Sequence, residues 1–309
     1  MKKTVAVVAA GADETALGVQ QALARLGARV VFVDTARVPE HESLTLEGDD
    51  VRYGAEELSA VNAVYVKSQH LAVPLFDADE LGQRRPKSWP ARWVAERERH
   101  AAMSSALRTL ELRVKRFVNP TSRFELHLLK PLQSVRLARA GLDVPASLTT
   151  SDPEAVRAFA AAHGEVIYKT PAGGALVRRL EPGDLRAGRL DALRTAPVLF
   201  QERIEGLEFR VTVLAGKVVG AWELPARGVV DAREVLERGR KVPCPAVVAR
   251  AAVKAARVLD LTFTSVDVRV RDGDGRPFVL ECNPTPSVAH YEHPSSSPVL
   301  RALARHLVG

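Results

Sequence analysis

Two acidic residues near the carboxyl end of the chain lie in a pattern that could bind a metal ion. A turn at 272–275 separates two segments of strand character, which predicts a β-hairpin. With the turn centred on Asp274, Asp267 lies directly opposite Glu281. Asn283 continues the same face two residues further on. Opposed carboxylates repel unless a positive charge lies between them, and an all-oxygen donor set is typical of Mg²⁺ bound together with phosphates. The alternative is an exposed hairpin with incidental acidic residues.

Two lysines occur in contrasting contexts. Lys169 ends an apolar strand and is followed by a flexible segment with Gly173 and Gly174, whose backbone N–H groups could bind a phosphate. Lys130 lies among apolar residues of a predicted helix, where its charge needs a partner. The alternative is that both stems cover apolar surface while the amines stay in water. The spacing excludes a P-loop.

A strand, a short polar link and a second strand occupy 199–210. An apolar slot beside exposed link backbone can hydrogen-bond the edge of a purine. Glu208 and Arg210 point to one face at period two, so Glu208 could accept from ribose hydroxyls and Arg210 could bind phosphate with its forked guanidinium. The alternative is an ordinary hairpin that carries Glu and Arg on its solvated face.

The elements that must position these residues are predicted from hydrophobic periodicity. The first hundred residues follow a βαβ pattern, with Asp13 as the cap of the first helix and Gly27 at its end, which indicates an open parallel sheet. Gly11 stands alone before that helix, so no dinucleotide-binding fingerprint is present. Residues 118–121 break the pattern and mark a domain boundary, and the next helix is predicted over 124–140. The last third alternates strands and helices again.

The composition bounds the class of protein. The 309 residues are 46 % hydrophobic and 26 % charged, which is typical of a globular protein and excludes disordered, collagen-like and coiled-coil classes. Neither an apolar run of 18 residues nor a signal peptide is recognised. The two cysteines lie in unrelated contexts, so neither a disulfide framework nor a zinc site is expected. We expect a cytoplasmic setting.

Positive charge is concentrated in one segment, here called the basic region. The chain has 44 Lys and Arg against 37 Asp and Glu, a net charge of +7, and the window from Arg84 to Arg116 holds ten basic and three acidic residues. The remainder is therefore close to neutral. Such a basic region could attract nucleic acid, an anionic membrane surface or an acidic peptide. The alternative is a solvated helix face.

The order of these motifs resembles the ATP-grasp superfamily over roughly 119–309. A lysine, a second lysine with a glycine loop, a Gln-Glu-x-Ile-x-Gly-x-Glu link and an Asp…Glu-x-Asn set follow one another at plausible distances. The resemblance implies an α/β and α+β fold. It divides the chain into an N-terminal α/β pre-ATP-grasp domain at 1–118, a central ATP-grasp lobe at 119–200 and a C-terminal ATP-grasp lobe at 201–309.

The resemblance also implies that ATP and Mg²⁺ are held between two lobes. Phosphate is expected at the two lysines and the glycine loop, adenine at the link and ribose at its glutamate. The implied nucleotide-binding residues are Lys130, Lys169, Gly173, Gly174, Gln201, Glu202, Ile204 and Glu208. The implied Mg²⁺ ligands are Asp267, Glu281 and Asn283.

The chemistry implied by the resemblance is carboxylate activation. The γ-phosphoryl group passes to a carboxylate oxygen, and an amine or hydroxyl then displaces phosphate from the acyl phosphate. Catalysis of this transfer consists mainly of positioning and charge neutralisation. Arg210 is therefore predicted to stabilise the transferred phosphoryl group.

Two subgroups of the superfamily are most similar. The segments 118–120, 129–133, 140–145 and 149–151 resemble the graspetide (microviridin-type) peptide-macrocyclising ligases. So do Asp231 and Arg233, which match the Asp-x-Arg motif that those enzymes use on the substrate peptide and are predicted to be catalytic. An ordinary loop ion pair is the alternative for these two residues. Ribosomal-protein glutamate ligases share the Gln-Glu link and the Glu-x-Asn pair, and the tail after Asn283 would equally serve an amino-acid ligase.

The sequence therefore predicts an ADP-forming ligase that makes macrocyclising ester or amide bonds on side-chain carboxylates of a ribosomal peptide. The first alternative is an amino-acid or small-molecule ligase of the glutamate-ligase type. The second is a nucleotide-binding module without turnover. The expected partner is a peptide or amino acid that carries a carboxylate, and a homodimer is left open. Neither a membrane nor a nucleic acid is expected as a partner.

Overall fold

The computed structural model describes residues 2–69, 89–172 and 176–309, and the chain forms two compact units. The first unit contains 1–121 and 294–309, and the second contains 122–293. The predicted borders after residues 118 and 200 form a finer division, which stays a prediction. That division assigns 294–309 to the C-terminal lobe, whereas the contacts of these residues place them in the first unit.

The first unit begins with a parallel sheet. Its elements from the start of the chain are β1 Thr4–Ala9, α1 Glu14–Arg25, β2 Arg29–Asp34, β3 Leu44–Glu47, β4 Asp50–Tyr53, β5 Glu56–Glu57, β6 Ala63–Val66, α2 Trp89–Arg113 and β7 Arg116–Val118. The parallel sheet has the order β2-β1-β6-β7, and β3, β4 and β5 form a small antiparallel sheet. The predicted open parallel sheet is confirmed.

Local signals explain the start of this unit. Asp13 begins α1 because its Oδ1 accepts a hydrogen bond from Ala16 N at 2.8 Å. Gly27, with a φ of 76°, follows the end of the helix, where a left-handed residue ends the hydrogen-bond ladder. Val5 and Val7 are fully buried in β1, as expected for a strand covered on both faces.

The second unit contains two antiparallel sheets. Its elements are α3 Lys130–Arg139, β8 Ser147–Thr150, α4 Pro153–His163, β9 Val166–Lys169, β10 Arg178–Arg179, α5 Ala187–Leu190, β11 Val198–Glu202, β12 Gly206–Leu214, β13 Lys217–Leu224, β14 Arg240–Lys241, α6 Ala246–Val258, β15 Phe263–Arg271 and β16 Pro277–Asn283. Helix α7, Pro298–Val308, returns to the first unit and packs against α1. Short 3-10 helices cover Thr35–Arg37, Thr121–His127, Pro182–Leu185, Asp191–Arg194, Ala232–Arg238 and Pro294–Ser296.

Each sheet of the second unit is covered by a helix. The four-stranded sheet has the order β10-β9-β11-β8, and Val156 of α4 is buried in the core that contains Val166 and Phe200. The five-stranded sheet has the order β14-β13-β12-β15-β16, and Ala252 and Ala255 of α6 are fully buried in its core. The small alanine side chains let α6 lie close to the sheet, which leaves the opposite face for other groups.

The helix predicted over 124–140 is shorter in the structure. A 3-10 helix covers Thr121–His127, and α3 begins only at Lys130. Pro131 explains the difference, because a proline inside an α-helix would clash with the carbonyl four residues earlier, at His127. Proline is tolerated in the first turn, so the helix begins immediately before it. Lys130 therefore lies at the amino end of α3 and not in its middle.

Helix α2 carries the described part of the basic region. Arg99 hydrogen-bonds Glu96 at 2.8 Å and lies 3.5 Å from Glu40, so part of the positive charge is compensated within the first unit. Arg84, Arg85 and Lys87, and the side chain of Arg92, lie outside the described residues. Among the helices of the described ranges, none combines the length and the apolar character that a membrane span requires.

Candidate functional site

The face of the five-stranded sheet away from α6 carries two ion pairs between neighbouring strands. Glu208 of β12 pairs in register with Arg269 of β15, and Arg210 of β12 pairs with Asp267 of β15. Side chains two residues apart on a strand share a face. The two pairs therefore lie side by side, with the order of charges reversed from one pair to the next.

A β-bulge brings the two predicted metal-binding carboxylates together. Asp267 pairs with Glu281 as predicted, but Val268 pairs with Val279, so Leu280 is an extra residue in β16. The turn is centred half a residue before Asp274, and a regular ladder from it would place Leu280 opposite Asp267. The prediction of the pair is confirmed, although the regular hairpin from which it was made is wrong.

The repulsion between these carboxylates is compensated by the protein itself. Lys130 Nζ lies 2.5 Å from both oxygens of Glu281. Arg210 binds Asp267 through two parallel hydrogen bonds, Nε to Oδ1 at 2.6 Å and Nη2 to Oδ2 at 2.7 Å. A metal ion is therefore not needed to hold the hairpin together. The expectation that the opposed carboxylates require a metal ion between them is corrected, because Lys130 and Arg210 provide the positive charge.

The donor chemistry at this position still fits a hard cation. Asp267, Glu281 and the amide of Asn283 provide oxygen ligands, and Asn283 pairs with Ser265 two residue pairs beyond the carboxylates. Carboxylate oxygens that accept one hydrogen bond retain further lone pairs. In the described ranges no cluster of three or more His, Cys, Asp or Glu residues forms a complete protein cage. Such a sparse all-oxygen set suits Mg²⁺ that takes its other ligands from water and phosphate.

One cavity of about 350 Å³ unites the predicted site. Every described residue of the predicted site lines it: Lys130, Lys169, Gln201, Glu202, Ile204, Glu208, Arg210, Asp231, Arg233, Asp267, Glu281 and Asn283. Gly173 and Gly174 lie outside the described residues. Five Lys or Arg and five Asp or Glu residues are among the described lining, so their formal charges cancel.

Among the described cations that line this cavity, Lys169 is the one whose positive charge is least compensated by nearby carboxylates. Its amine hydrogen-bonds Gln201 Oε1 at 3.3 Å, and no carboxylate of the described residues lies within 4.0 Å of it. Burial lowers the pKa of Lys169, because an ammonium ion loses its hydration at this position. An anion that enters the cavity would restore the lost stabilisation. Lys169 therefore favours a negatively charged ligand.

We expect Lys169→Met to raise the free energy of unfolding at pH 7 by about 1–3 kcal/mol, because it removes a partly buried and poorly compensated charge. Since the pKa of Lys169 is lowered on folding, the unfolded chain binds more protons between that pKa and the ordinary value of 10.5. The advantage of the variant should therefore be largest at neutral pH and shrink as the pH rises through that window. Urea unfolding at pH 7 and pH 10 measures both effects.

Lys217→Met, at the exposed start of β13, is the matched control and should leave the unfolding free energy within about 0.5 kcal/mol of wild type. A Lys169 variant that is less stable than wild type at neutral pH would show that the charge is well compensated, and would contradict the assignment.

The link between β11 and β12 is anchored on both sides. Gln201 Nε2 donates to Ser147 Oγ at 3.1 Å, and the backbone N–H groups of Glu202 and Arg203 bond the carbonyls of Ala146 and Glu165. These bonds hold the link as a fixed strip of backbone at the cavity wall. A planar ring with hydrogen-bonding edges fits such a strip.

Two residues of the site were not singled out from the sequence. Arg269 is buried and pairs with Glu208, and period two from Asp267 on one strand is the signal that would have found it. Tyr291 is not among the predicted site residues, and its hydroxyl accepts a hydrogen bond from Arg210 Nη1 at 2.8 Å. Its ring packs on Trp222, with 5.3 Å between the ring centroids. Burial raises the pKa of Tyr291, so it stays protonated.

Asp231 and Arg233 form an ion pair at the cavity wall. Asp231 is buried, accepts from Arg233 Nη2 at 2.6 Å, and also accepts from Val177 N at 2.9 Å. Burial alone would raise the pKa of Asp231, but the hydrogen bonds from Arg233 and Val177 lower it, so the carboxylate stays ionised. Arg233 is 43 % exposed and can meet a ligand from the solvent side.

The arrangement combines cations that suit phosphates, carboxylates that suit a divalent cation, and a fixed backbone strip that suits a planar base.

No protein-family model matches the chain, and no curated protein matches it significantly. Solved structures do match. The ATP-grasp ligase PsnB, complexed with a phosphomimetic variant of its minimal precursor, Mg and ADP, is 32 % identical, with 100 % of this chain and 98 % of that chain covered and a TM-score of 0.86.

Two further structures share the fold at lower identity. The macrocyclase MdnC from Microcystis aeruginosa MRC, bound with the precursor peptide MdnA, is 21 % identical with 99 % of each chain covered and a TM-score of 0.80. The D-cycloserine synthetase DcsG is 18 % identical, with 98 % of this chain and 99 % of that chain covered and a TM-score of 0.62. At these identities the likeness concerns the fold alone.

Proposed function

This chain belongs to the ATP-grasp ligases, and on that premise we propose that it is an ATP- and Mg²⁺-dependent ligase that modifies side-chain carboxylates of a precursor peptide. The observation that carries the proposal is the cavity of the second unit. It gathers every described residue of the predicted site in a chain that is similar to PsnB over its whole length.

The proposed roles follow the chemistry of the lining. Lys130 and Lys169 bind phosphate oxygens, and the β11–β12 link binds adenine through Gln201, Glu202 and Ile204. Glu208 accepts from the ribose, which its position on β12 next to the link supports. Lys169 is the best supported of these, because burial without close ionic compensation makes an anion its natural partner.

Asp267, Glu281 and Asn283 would hold Mg²⁺, since they provide the oxygen donors that this ion prefers. When bound, the ion would neutralise charge on the phosphate oxygens. Lys130 and Arg210 already lie on the two carboxylates, so these four side chains form a charge-balanced clamp.

The reaction proceeds by carboxylate activation. A peptide carboxylate oxygen attacks the γ-phosphorus of ATP, the bond to the bridging oxygen breaks, and ADP leaves. An amine or hydroxyl of the peptide then attacks the carbonyl carbon of the acyl phosphate, loses its proton, and phosphate leaves. Arg210 stabilises the charge that develops on the transferred group, since it presents a planar fork of donors that Asp267 and Tyr291 hold in place. Arg233 is proposed to bind the substrate peptide.

The test is the nucleotide product. With ATP, Mg²⁺ and a synthetic precursor peptide rich in Thr or Ser and Asp or Glu, we expect equal amounts of ADP and phosphate. The peptide should lose one water for each bond formed. AMP and pyrophosphate would contradict the mechanism. ADP release with free amino acids but not with the peptide would favour a small-molecule ligase, and the absence of turnover with either would favour a nucleotide-binding module.

We further propose that the basic region attracts an acidic peptide, as the surplus of arginine in that window suggests. The triple variant in which Arg92, Arg97 and Arg99 become Glu is expected to weaken peptide binding at least about tenfold at low salt and to leave the ATP dissociation constant unchanged. Titration with a labelled peptide at two ionic strengths measures the effect. An unchanged peptide affinity would show that the basic region is only a solvated helix face.

A homodimer stays a prediction.

A further inference from the structure

A buried ion pair lies below the proposed ribose position. Glu208 is 2 % exposed and Arg269 is 6 % exposed, and the two residues are direct neighbours in the β12–β15 ladder. Burial raises the pKa of Glu208, and Arg269 acts against this shift. A carboxylate at this depth stays ionised only with a cation beside it, and an arginine does not lose its charge in proteins. Arg269 is therefore the main cation that keeps Glu208 a charged acceptor, with a smaller contribution from Arg210 and an opposing one from Asp267.

The geometry of the pair is asymmetric. Arg269 Nε donates to Glu208 Oε2 at 3.1 Å, and Nη2 donates to the same oxygen. Arg269 Nη1 donates to the backbone carbonyl of Ile204 at 3.0 Å. Among the described residues, none donates a hydrogen bond to Glu208 Oε1. The guanidinium thus fixes one carboxylate oxygen and one link carbonyl, and leaves the second oxygen of Glu208 as an acceptor at the cavity wall.

We propose that Arg269 is the positioning residue that sets selectivity for a ribonucleotide over a deoxyribonucleotide, by holding Glu208 ionised and turned so that Oε1 meets a sugar hydroxyl. The proposal rests on the proposed function, because it needs the nucleotide in this cavity. Arg269 is not proposed to contact any substrate atom. It acts through Glu208 and through the Ile204 carbonyl, so its loss changes the discrimination between sugars more than the affinity for phosphates.

The measurement is binding of the full chain to ATP, 2′-deoxy-ATP and 3′-deoxy-ATP in the presence of Mg²⁺, by calorimetry and without a need for turnover. Wild type is expected to bind ATP about 10- to 100-fold more tightly than at least one of the deoxy analogues, as a hydrogen bond to a charged acceptor requires. In Arg269→Met that ratio should fall to about threefold or less. Arg269→Lys should retain part of it, since a lysine returns the charge without the fork.

Three further variants separate positioning from a purely structural role. Glu208→Gln should lower the ratio as Arg269→Met does, and the double variant should lower it no further, because the two residues act as one unit. Arg271→Met, two residues along β15, is the control: this arginine pairs with Asp274 in the exposed hairpin turn, and the ratio should stay at the wild-type value.

The outcomes distinguish the two proposals. If wild type binds none of the three nucleotides, the proposed function fails. If wild type binds ATP but does not discriminate, or if Arg269→Met weakens ATP and its deoxy analogues by the same factor, the role of Arg269 is overturned while the function stands. If Arg269→Met does not fold, Arg269→Lys and Glu208→Gln carry the test, and an unchanged ratio in both overturns the proposal.

Discussion

Glu281→Gln is expected to lower peptide-dependent ADP formation about 10³-fold, because it removes one of the two negative charges proposed to hold Mg²⁺. Stabilisation of transition-state charge by a metal ion is worth several kcal/mol, and each 1.4 kcal/mol, roughly, is a factor of ten in rate. Glutamine has the volume of glutamate and still accepts from Lys130, so the hairpin should fold as before. The measurement is ADP release over a range of Mg²⁺ concentrations.

The matched control for this variant lies on the same sheet. Glu223 of β13 pairs with Arg240 of β14 at 3.1 Å near the edge, and Arg240 is 74 % exposed. Glu223→Gln should leave ADP formation unchanged, since exposed pairs contribute little. If Glu281→Gln keeps more than a tenth of the wild-type rate, or is no more dependent on Mg²⁺ than wild type, the assigned role of Glu281 is wrong.

Arg210→Lys is expected to reduce kcat about 10³-fold while the dissociation constant of ATP changes less than about fivefold. An arginine that stabilises phosphoryl transfer typically contributes factors of 10³–10⁵, roughly, and a lysine cannot reproduce a planar fork that binds Asp267 and Tyr291 at once. Because the lysine keeps the positive charge, Asp267 retains a counter-ion and the fold is protected. Pre-steady-state measurement of ADP formation separates kcat from nucleotide affinity.

Arg240→Lys serves as the control, because Arg240 is a surface arginine on the same sheet with an ion pair of its own. It should keep the wild-type kcat. A loss of ATP affinity in Arg210→Lys without a loss of kcat would assign Arg210 to ground-state binding, and would contradict a role in the transfer step.

Local structure was predictable where the interaction spans a few residues. Asp13 caps α1 and Asp152 caps α4, with Pro153 in its first turn, as their sequence positions indicate. The tight turn at Ala215 and Gly216 has positive φ at both residues, as an Ala-Gly turn between two strands allows. The start of α3 differs from the predicted one, because the steric effect of Pro131 outweighs the apolar periodicity that continues before it.

The pairing of Asp267 with Glu281 was predicted correctly, but from a regular hairpin that the structure does not have. The turn is centred half a residue before Asp274, and this position alone would put Leu280 opposite Asp267. The bulge makes Leu280 an extra residue in β16, so Glu281 takes the position opposite Asp267 instead. A regular ladder has no place for such an extra residue, and hydrophobic alternation does not report it. Bulges bend a strand and redirect its side chains, and they are frequent beside active sites.

The sequence by itself determined the types of charged group, their order along the chain and the two-residue spacing that puts them on one face. Those properties are local, and they were sufficient to support the family resemblance and to predict twelve of the residues that line the cavity. Only the tertiary structure decided which cation compensates which carboxylate. Lys130 meets Glu281 across 151 residues of chain, and Arg269 meets Glu208 across 61. Hydrogen-bonded ion pairs act over about 3 Å, so their partners depend on strand register and on where α3 begins, and both are settled only when the sheet and the helix pack.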